Sequence, residues 1–393
     1  MVKVLAAAPE RWSKIYCLSR RPPPDYFFDG LGDGASRVEH VEADFLGSPE
    51  QLSEMLKEKI KKVIDSGPHI ELHSRSQARW LDTEALPLAN RSEALWYNIN
   101  RQKPTSSKTF ADPFAFLSAG FHIGPATCPS FETDARVMLE NNFYYPQEDI
   151  LSRYCSENGV GWNVVRPSYI IGAVRDNLLN HMVGFAIYAS VQAHLKQPLA
   201  FPGDYLAWDR EMCQSTAMMD AYLEEWAVLT PQAANEAFNA QDGLPFTWGR
   251  FWAYLASWYG IEWTPPETDQ SKYRQTISRA TETPRGYGPQ GVVRSSFSLT
   301  EWMERPEVEK AWTEIKEKYD LKVDPIKDRV QIFGLTDSAV ISCWPLSLSM
   351  RKARKMGFHG SVDSYEAAFH CLKDMADLKI SAPLTMDKFV DKQ

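Results

Sequence analysis

The sequence predicts an α/β protein built on a parallel sheet and followed by a mainly helical C-terminal portion. Near the N-terminus, short apolar runs of strand length alternate with an amphipathic stretch at helical spacing. Over residues 144–167 a helical pattern, two closely spaced glycines and an apolar strand follow one another, which is half of a βαβ unit. Beyond residue 178 most patterns are helical, and aromatic residues accumulate.

Residues 1–66 show both helical and extended patterns. Basic residues and three prolines end the first strand, and a serine that can cap a helix follows the second strand. In chain order, we expect the end of a helix over 1–9, strands over 13–19 and 38–45, and a helix that begins at Ser48.

Residues 67–119 contain no element that the sequence alone can assign. Ser, Arg, Asn, Thr and Pro accumulate there, and the apolar run of strand length is at 114–117. A long irregular stretch inside a compact domain is unusual. We therefore treat this segment as irregular or unassigned.

Regular patterns return before residue 144. Pro146 is compatible with a helix there because it lies in the first turn. In chain order, we expect a helix over 144–156, a strand over 162–167, a loop over 168–172, helices over 178–194 and 216–229, a strand over 235–239, and helices over 248–259, 301–319 and 365–376.

Composition and charge exclude several classes of function. The chain has 43 Lys and Arg against 51 Asp and Glu, so a surface for nucleic acid or an anionic membrane is not expected. No apolar run reaches the roughly 18–20 residues of a spanning helix, and no signal sequence is recognisable, so we expect a cytoplasmic protein. The six cysteines form no CxxC or Cys/His cluster, so neither a metal site nor a disulfide framework is indicated.

Tyr144 and Tyr145 stand at the predicted start of a helix and are the candidate catalytic residues. A phenol can donate a hydrogen bond to a substrate carbonyl and stabilise the negative charge that develops there. Because an unperturbed phenol has a pKa of about 10, such a residue normally needs a nearby cation. One helical turn later the chain has Glu148 and Asp149, and two acids disfavour a phenolate. Packing in a core or an interface is the alternative interpretation of this pair.

Several motifs, in order and at similar spacing, resemble the progesterone 5β-reductase/iridoid synthase family (PRISE) of extended short-chain dehydrogenases/reductases. The similarity covers about 3–66 and 120–390, and it is greater to fungal relatives, often found in secondary metabolism, than to plant enzymes. The motifs are Asn142-Phe143-Tyr144-Tyr145 with Glu148-Asp149, Trp162-x-Val164-x-Arg166-Pro167, Asn180-x-x-Val183-Gly184, Phe201-Pro202-Gly203, Trp208, Asn235-Glu236-Ala237-Phe238-Asn239 and Met356-Gly357-Phe358-His359-Gly360.

The resemblance implies an NADPH-dependent oxidoreductase that reduces an α,β-unsaturated carbonyl compound, an enone. Its substrate would be a hydrophobic small molecule, and Tyr145 would stabilise the enolate oxygen, with Tyr144 as the second candidate. The fold would be Rossmann-like, with an incomplete NADP-binding domain over 1–172. Residues 173–393 would complete the sheet and form the mainly helical substrate-binding portion. Whether the chain forms a homodimer stays open.

Two parts of the family's site are absent from their expected positions. The family takes its catalytic lysine from the strand end before the segment that corresponds to 120–122, but no lysine occurs between Lys108 and Lys196. No Gly-x-x-Gly-x-x-Gly loop precedes the first strand. We therefore expect the chain to begin inside the first helix of its Rossmann unit, without the main anion site for a pyrophosphate.

Cofactor and substrate contacts are assigned by position in such a fold. Arginines after the first strand suit the 2′-phosphate of NADP through bidentate hydrogen bonds. Packing, or a solvated turn, is the alternative for each assigned residue. The predicted cofactor contacts are Ser19, Arg20, Arg21, Asp44, Phe45, Arg166, Pro167, Ser168 and Ile170, and the predicted substrate contacts are Asn180, Phe201 and Trp208.

Two other hypotheses stay open. In one, the chain is a catalytically impaired relative or an incomplete gene model that acts at most as a binding protein, because the glycine loop and the lysine are absent. In the other, it is an NAD(P)-dependent epimerase or dehydratase, although those enzymes normally keep the tyrosine–lysine spacing. A further basic helical face, which we interpret as solvated, consists of Arg351, Lys352, Arg354 and Lys355.

Overall fold

The computed structural model describes residues 1–19, 22–42, 74–75, 94–99, 127–136, 144–158, 161–175, 180–277, 292–342 and 344–391. The helix predicted from Ser48 and the last residues of the strand predicted over 38–45 lie outside this set. The predicted cofactor residues Arg20, Arg21, Asp44 and Phe45 also lie outside it.

The described elements alternate between strands and helices, with short 3-10 turns between some of them. The strands are β1 (Ile15–Ser19), β2 (Val38–Glu42), β3 (Ser74–Arg75), β4 (Ala94–Ile99), β5 (Gly161–Pro167), β6 (Tyr169–Ile171), β7 (Leu199–Ala200), β8 (Gln214–Thr216), β9 (Glu236–Ala240), β10 (Trp263–Thr264), β11 (Arg274–Ile277) and β12 (Val292–Ser295). The helices are α1 (Val2–Ala6), α2 (Asp25–Asp29), α3 (Tyr144–Asn158), α4 (His181–Leu195), α5 (Tyr205–Asp209), α6 (Ala217–Leu229), α7 (Trp248–Trp258), α8 (Leu299–Trp302), α9 (Pro306–Tyr319), α10 (Arg329–Ile341), α11 (Arg351–Lys355) and α12 (Ser364–Asp377).

The N-terminal elements confirm the expected alternation. β1 and β2 pair in parallel, with Ile15 opposite Val38. Residues of α1 pack with Trp12 and Ile15 in a small apolar cluster. The Trp12 indole Nε1 donates a 2.7 Å hydrogen bond to the buried carboxylate of Glu225 in α6, which ties this cluster to the rest of the protein.

Four parallel strands form the central sheet in the order β3-β4-β5-β9. Asn163 of β5 lies opposite Glu236 of β9. Val164 and Val165 are successive residues of β5 and both are buried, so both faces of this strand are covered. Because β5 and β9 run in the same direction, their carboxyl ends meet at one edge, which is where α/β proteins bind ligands.

β4 shows that the expectation of an irregular segment over 67–119 was wrong for part of it. Ala94–Ile99 is a strand with partners on both sides. The run contains Trp, Tyr and Ile, which favour strands, but it is short and its flanks are polar. Its partner β5 begins at Gly161. The strand β4 is therefore defined by pairing with a distant part of the chain, and no local sequence pattern marks it.

The main apolar core is helical, as expected for the C-terminal portion. α4 is buried along most of its length and packs against α9, α10 and α12. Phe185 of α4 contacts Trp248, Phe251 and Trp252 of α7, with ring centroids 5.1 to 5.7 Å apart. A helix that is apolar on all sides is typical of such a central position. No helix in the described residues has both the length and the apolar composition that crossing a membrane requires.

Two element boundaries differ from those expected. The predicted loop over 168–172 contains β6, which pairs in parallel with β8. The helix predicted over 301–319 is two helices, because α8 ends at Trp302 and α9 begins at Pro306. Proline lacks an N–H and is therefore well suited to the first position of a new helix.

Candidate active site

The two candidate tyrosines lie in the first turn of α3, as predicted. Both side chains are partly buried. α3 packs on β5, and the side chain of Glu148, one turn after Tyr144, is only 13% exposed. The start of α3 therefore lies beside the carboxyl end of β5.

Arg166 of β5 forms a bidentate ion pair with Glu148. Its Nε and Nη2 donate to the two carboxylate oxygens at 3.1 and 2.9 Å. Its Nη1 donates to the backbone oxygen of Glu132 at 3.2 Å. Two parallel hydrogen bonds between charged groups are among the stronger polar contacts in proteins, so this pair holds α3 in a defined position on the sheet.

Arg136 lies over the ring of Tyr145. Its Cζ is 5.0 Å from the ring centroid, within the range of a cation–π contact. Its Nη1 is 2.7 Å from Asp149 Oδ1, and its Nη2 is 3.4 Å from Glu148 Oε2. Partial burial lowers the pKa of Arg136, but the hydrogen bonds and charges of the two acids outweigh it and leave the pKa raised. The guanidinium is therefore a permanent positive charge at Tyr145.

These contacts change the interpretation of the two acids that follow the tyrosines. Asp149 is paired with Arg136, and Glu148 is shared between Arg136 and Arg166. The two negative charges are thus balanced by two positive charges, so Tyr145 lies beside ion pairs and not beside two unpaired acids. The positive charge that is absent one turn after Tyr145 is supplied by Arg136, nine positions before it.

The loop that carries Arg136 is attached to two other parts of the fold. Glu132 Oε1 accepts from the backbone N of Asn239 at 3.0 Å, and Asn239 Nδ2 donates to the Ser130 oxygen at 3.0 Å. Ser130 also pairs with the segment before α11, where its N donates to the Ser347 oxygen at 2.8 Å. These bonds connect residues 127–136 to β9 and to the C-terminal portion.

The predicted cofactor residues that the structure describes make contacts within the protein. The guanidinium of Arg166 is engaged by Glu148 and by the Glu132 oxygen. Ser168 Oγ donates to the Cys213 oxygen at 2.9 Å, and Pro167 and Ile170 lie in β5 and β6. Ser19 ends β1. A free charged or hydroxyl group for a cofactor phosphate is not found among Arg166, Pro167, Ser168 and Ile170, so their role in binding NADPH stays a prediction.

The three predicted substrate residues also have structural partners. Asn180 caps α4, because its side-chain oxygen accepts from the Met182 backbone N at 3.0 Å. Phe201 and Trp208 are 2% and 9% exposed and pack edge to face, with centroids 4.9 Å apart. Packing, the alternative interpretation, describes what these side chains do in the structure, and substrate contact stays a prediction.

Sequence reasoning missed Arg136 and Glu132. Neither residue belongs to a recognisable motif, and the sequence pattern gives a loop residue no fixed position relative to a helix. The one available signal was a basic residue shortly before the paired tyrosines. The family's cation is a lysine, so the sequence did not predict this role for an arginine in the preceding loop.

A family comparison covers the part of the chain that contains this site. Residues 128–280 match the model of the PRISE-like Rossmann-fold domain. This part of the chain is therefore similar to that family's domain. The match confirms the resemblance and the Rossmann-like fold, and the matched residues include Arg136, Tyr144, Tyr145 and Arg166.

Proteins similar to this chain occur in yeast and in plants. The chain is 28% identical to "Uncharacterized protein C757.02c" of Schizosaccharomyces pombe, over 63% of this chain and 64% of that protein. It is 25% identical to the (S)-8-oxocitronellyl enol synthase of Catharanthus roseus, over 93% and 84%. It is 36% identical to the 3-oxo-Delta(4,5)-steroid 5-beta-reductase of Arabidopsis thaliana, over 40% of each chain. The matched regions thus span from less than half to most of these relatives.

The fold is also found in a solved structure of low sequence similarity. The terminal R domain from the myxalamid PKS-NRPS biosynthetic pathway superposes with a TM-score of 0.52 at 14% identity. The superposition covers 95% of this chain and 86% of the R domain. At that identity the similarity concerns the fold alone.

Proposed function

We propose that this protein reduces an α,β-unsaturated carbonyl compound with NADPH, with Tyr145 as the residue that binds the carbonyl oxygen. The observation that carries the proposal is the Arg136 guanidinium, 5.0 Å from the Tyr145 ring centroid. A phenol beside a fixed cation can donate a hydrogen bond to an oxygen on which negative charge develops.

The names of the relatives support the same chemistry. One is called a 3-oxo-Delta(4,5)-steroid 5-beta-reductase and another an enol synthase. A 3-oxo-Δ4,5 group is an enone, and hydride addition to an enone gives an enolate. Both names therefore fit a site that stabilises negative charge on a carbonyl oxygen.

NADPH and the residues near the start of α3 account for the hydride, the electron pair and the proton of this reaction. NADPH, when bound, would supply the hydride for the β-carbon. The electron pair of the carbon–carbon double bond then moves toward the carbonyl, and the oxygen becomes an enolate oxygen. Tyr145 donates its hydroxyl hydrogen bond to that oxygen and can pass it the proton. Arg136, held by Asp149 and Glu148, offsets the negative charge that then forms on the phenol.

Tyr145→Phe tests the role of the phenol. We expect NADPH oxidation with a 3-oxo-Δ4,5-steroid or with 2-cyclohexen-1-one to fall about 10²-fold or more, the scale of a lost general acid. Tyr144→Phe separates the two candidates. Tyr222→Phe is the matched control, because Tyr222 is a 48% exposed tyrosine on α6.

Cofactor binding is measured first, by titrating NADPH and following its fluorescence. Absence of binding at about millimolar concentration would contradict the proposal. NADPH binding without oxidation in the presence of either enone would instead favour the hypothesis of a catalytically impaired binding protein. An unchanged rate in Tyr145→Phe, with a loss in Tyr144→Phe, would move the role to Tyr144.

A further inference from the structure

A basic cleft lies at the carboxyl end of β9, and Tyr145, Arg136 and Arg166 are not among its described lining residues. Its volume is about 520 Å³, which is within the range of small-molecule sites. The polar residues that line it are Gln241, Ser347, Ser349, Arg351, Arg354 and Lys355.

The charge of this cleft is positive. No Asp or Glu is among the described residues that line it. Within the described part of the chain, Arg351, Arg354 and Lys355 form no ion pair with a carboxylate. Lys352 on the same helix differs, because it is paired with Glu236 and donates to the Ala237 oxygen. Lys352 is thus paired with an acid of β9, and the other three cations of α11 line the cleft.

The walls of the cleft are held in place. Met350 and Ala353 are buried and anchor α11 in the apolar cluster beside β9. Ser349 N donates to the Ser130 oxygen at 2.9 Å, which fixes the segment before α11. The Arg354 guanidinium lies against Gly243, where a Cβ would be 3.3 Å from Nη2. Gly243 has φ +99°, which favours glycine and leaves room for this side chain.

Hydrogen-bond donors accompany the charges. Gln241 directly follows β9, so its amide lies at the edge of the sheet where ligands of α/β proteins bind. Ser349 Oγ accepts from the Arg351 backbone N at 3.3 Å, which leaves its hydroxyl hydrogen for another acceptor. Arginine and hydroxyl donors together suit an oxyanion with several acceptor oxygens.

We propose that this cleft binds the oxyanion group of a small molecule, either a phosphate ester or a carboxylate. The three cations are exposed, so a ligand can reach them without a change of fold. Oxyanion binding offsets the mutual repulsion of the three cations, which have no acidic partner in the described residues. The solvated face expected from the sequence thus becomes a binding surface.

The test is calorimetric titration of the purified protein, without cofactor, using phenyl phosphate and benzoate as probes. We expect saturable binding of one or both below about 10 mM, weakened when ionic strength rises. Binding of phenyl phosphate alone identifies a phosphate site, and binding of benzoate alone identifies a carboxylate site. Binding of both supports a general oxyanion site.

Variants locate the binding. Arg351→Gln with Arg354→Gln should weaken binding about tenfold or more, because two charged donors are removed. Arg354→Lys should retain part of the affinity. The control is Lys310→Gln with Lys318→Gln, which removes an equal number of positive charges from α9. Lys310 is 79% exposed there, and this variant should leave binding unchanged.

Two results would overturn the proposal. One is no saturable binding of either probe. The other is equal binding by the parent and by the Arg351→Gln, Arg354→Gln variant, with circular dichroism showing both proteins folded. Because NADPH and an enone are absent from these titrations, failure here is independent of failure of the reductase proposal.

Discussion

Single residues decide the electrostatics of the Tyr145 site. Arg136, Asp149, Glu148 and Arg166 form a linked set of ion pairs beside the ring. The contact that concerns chemistry is the one between Arg136 and Tyr145. If the contact between Arg136 and Tyr145 were purely structural, its removal would lower stability and leave the rate of enone reduction unchanged.

Arg136→Met removes the charge and keeps an unbranched side chain. We expect kcat for enone reduction to fall about tenfold or more, because a fixed charge near the developing oxyanion is lost. The KM for NADPH should change little. Arg136→Lys should recover part of the rate, and the pH dependence of kcat should differ between the parent and Arg136→Met.

Arg153→Met is the control for this substitution, since Arg153 is an exposed arginine later in α3. A parental kcat in Arg136→Met would show that the ion-pair set is structural. So would an equal loss of rate in Arg153→Met.

A second prediction for a single residue concerns Asp220, a buried acid in α6. Asp220 is 2% exposed, and its carboxylate oxygens have no hydrogen-bond partner among the described residues. Burial, then Glu224 and Asp242, raise the pKa of Asp220 well above its usual value. The folded state therefore keeps a proton that the unfolded chain releases above about pH 4. Its contribution to stability is greatest below that pH and falls as the pH rises toward the folded pKa.

Asp220→Asn removes this titration with little change of shape. We expect thermal unfolding to show a smaller loss of stability between pH 5 and 8 than in the parent, with a gain of about 1 kcal/mol or more at pH 8. Glu317→Gln, at an exposed position of α9, should behave like the parent. Equal pH slopes for the parent and Asp220→Asn would count against a buried, protonated carboxyl.

The packing of elements depends on a close approach between α4 and α10. Thr336 Oγ1 donates to the His181 oxygen at 2.9 Å. A Cβ added at Gly184 would lie 2.8 Å from Thr336 Cβ, which is shorter than a normal carbon–carbon contact. A larger residue at this position therefore requires the two central helices to separate.

Gly184→Ala should lower the free energy of unfolding by about 1–3 kcal/mol, the usual cost of overfilling a packed core. Denaturant unfolding measures this. Gly30→Ala is the control, because a Cβ there would meet the flexible end of Lys3 at 3.4 Å. If the two variants have the same midpoint, the helices are less tightly packed than the structure indicates.

Elements with their own periodicity were predicted well, and elements defined by distant partners were not. α3, α6, α7 and α12 begin and end within a few residues of the expected positions, since helical spacing is a local signal. β4 was missed because its pairing with β5 spans more than sixty residues of sequence. The break before Pro306 was also missed, although proline at a helix start is a local signal.

Over the whole molecule, charge is distributed unevenly. The chain carries a net charge of −8, yet three cations of α11 gather in one cleft without an acid among its described lining residues. Net charge reports on solubility and on nonspecific binding, whereas a local excess of one sign can attract a particular ligand. The overall composition therefore gave no indication of the cleft.

The sequence by itself determined the family resemblance, the order of most elements and the place of Tyr145 at the start of a helix. These properties depend on motifs and on periods of a few residues. Only the tertiary structure decided that Arg136 lies at Tyr145, that Arg166 pairs with Glu148, and that the basic face of α11 borders a cleft. Those contacts depend on a loop tied to β9 and to residues 347–349, and no local pattern encodes such a distance.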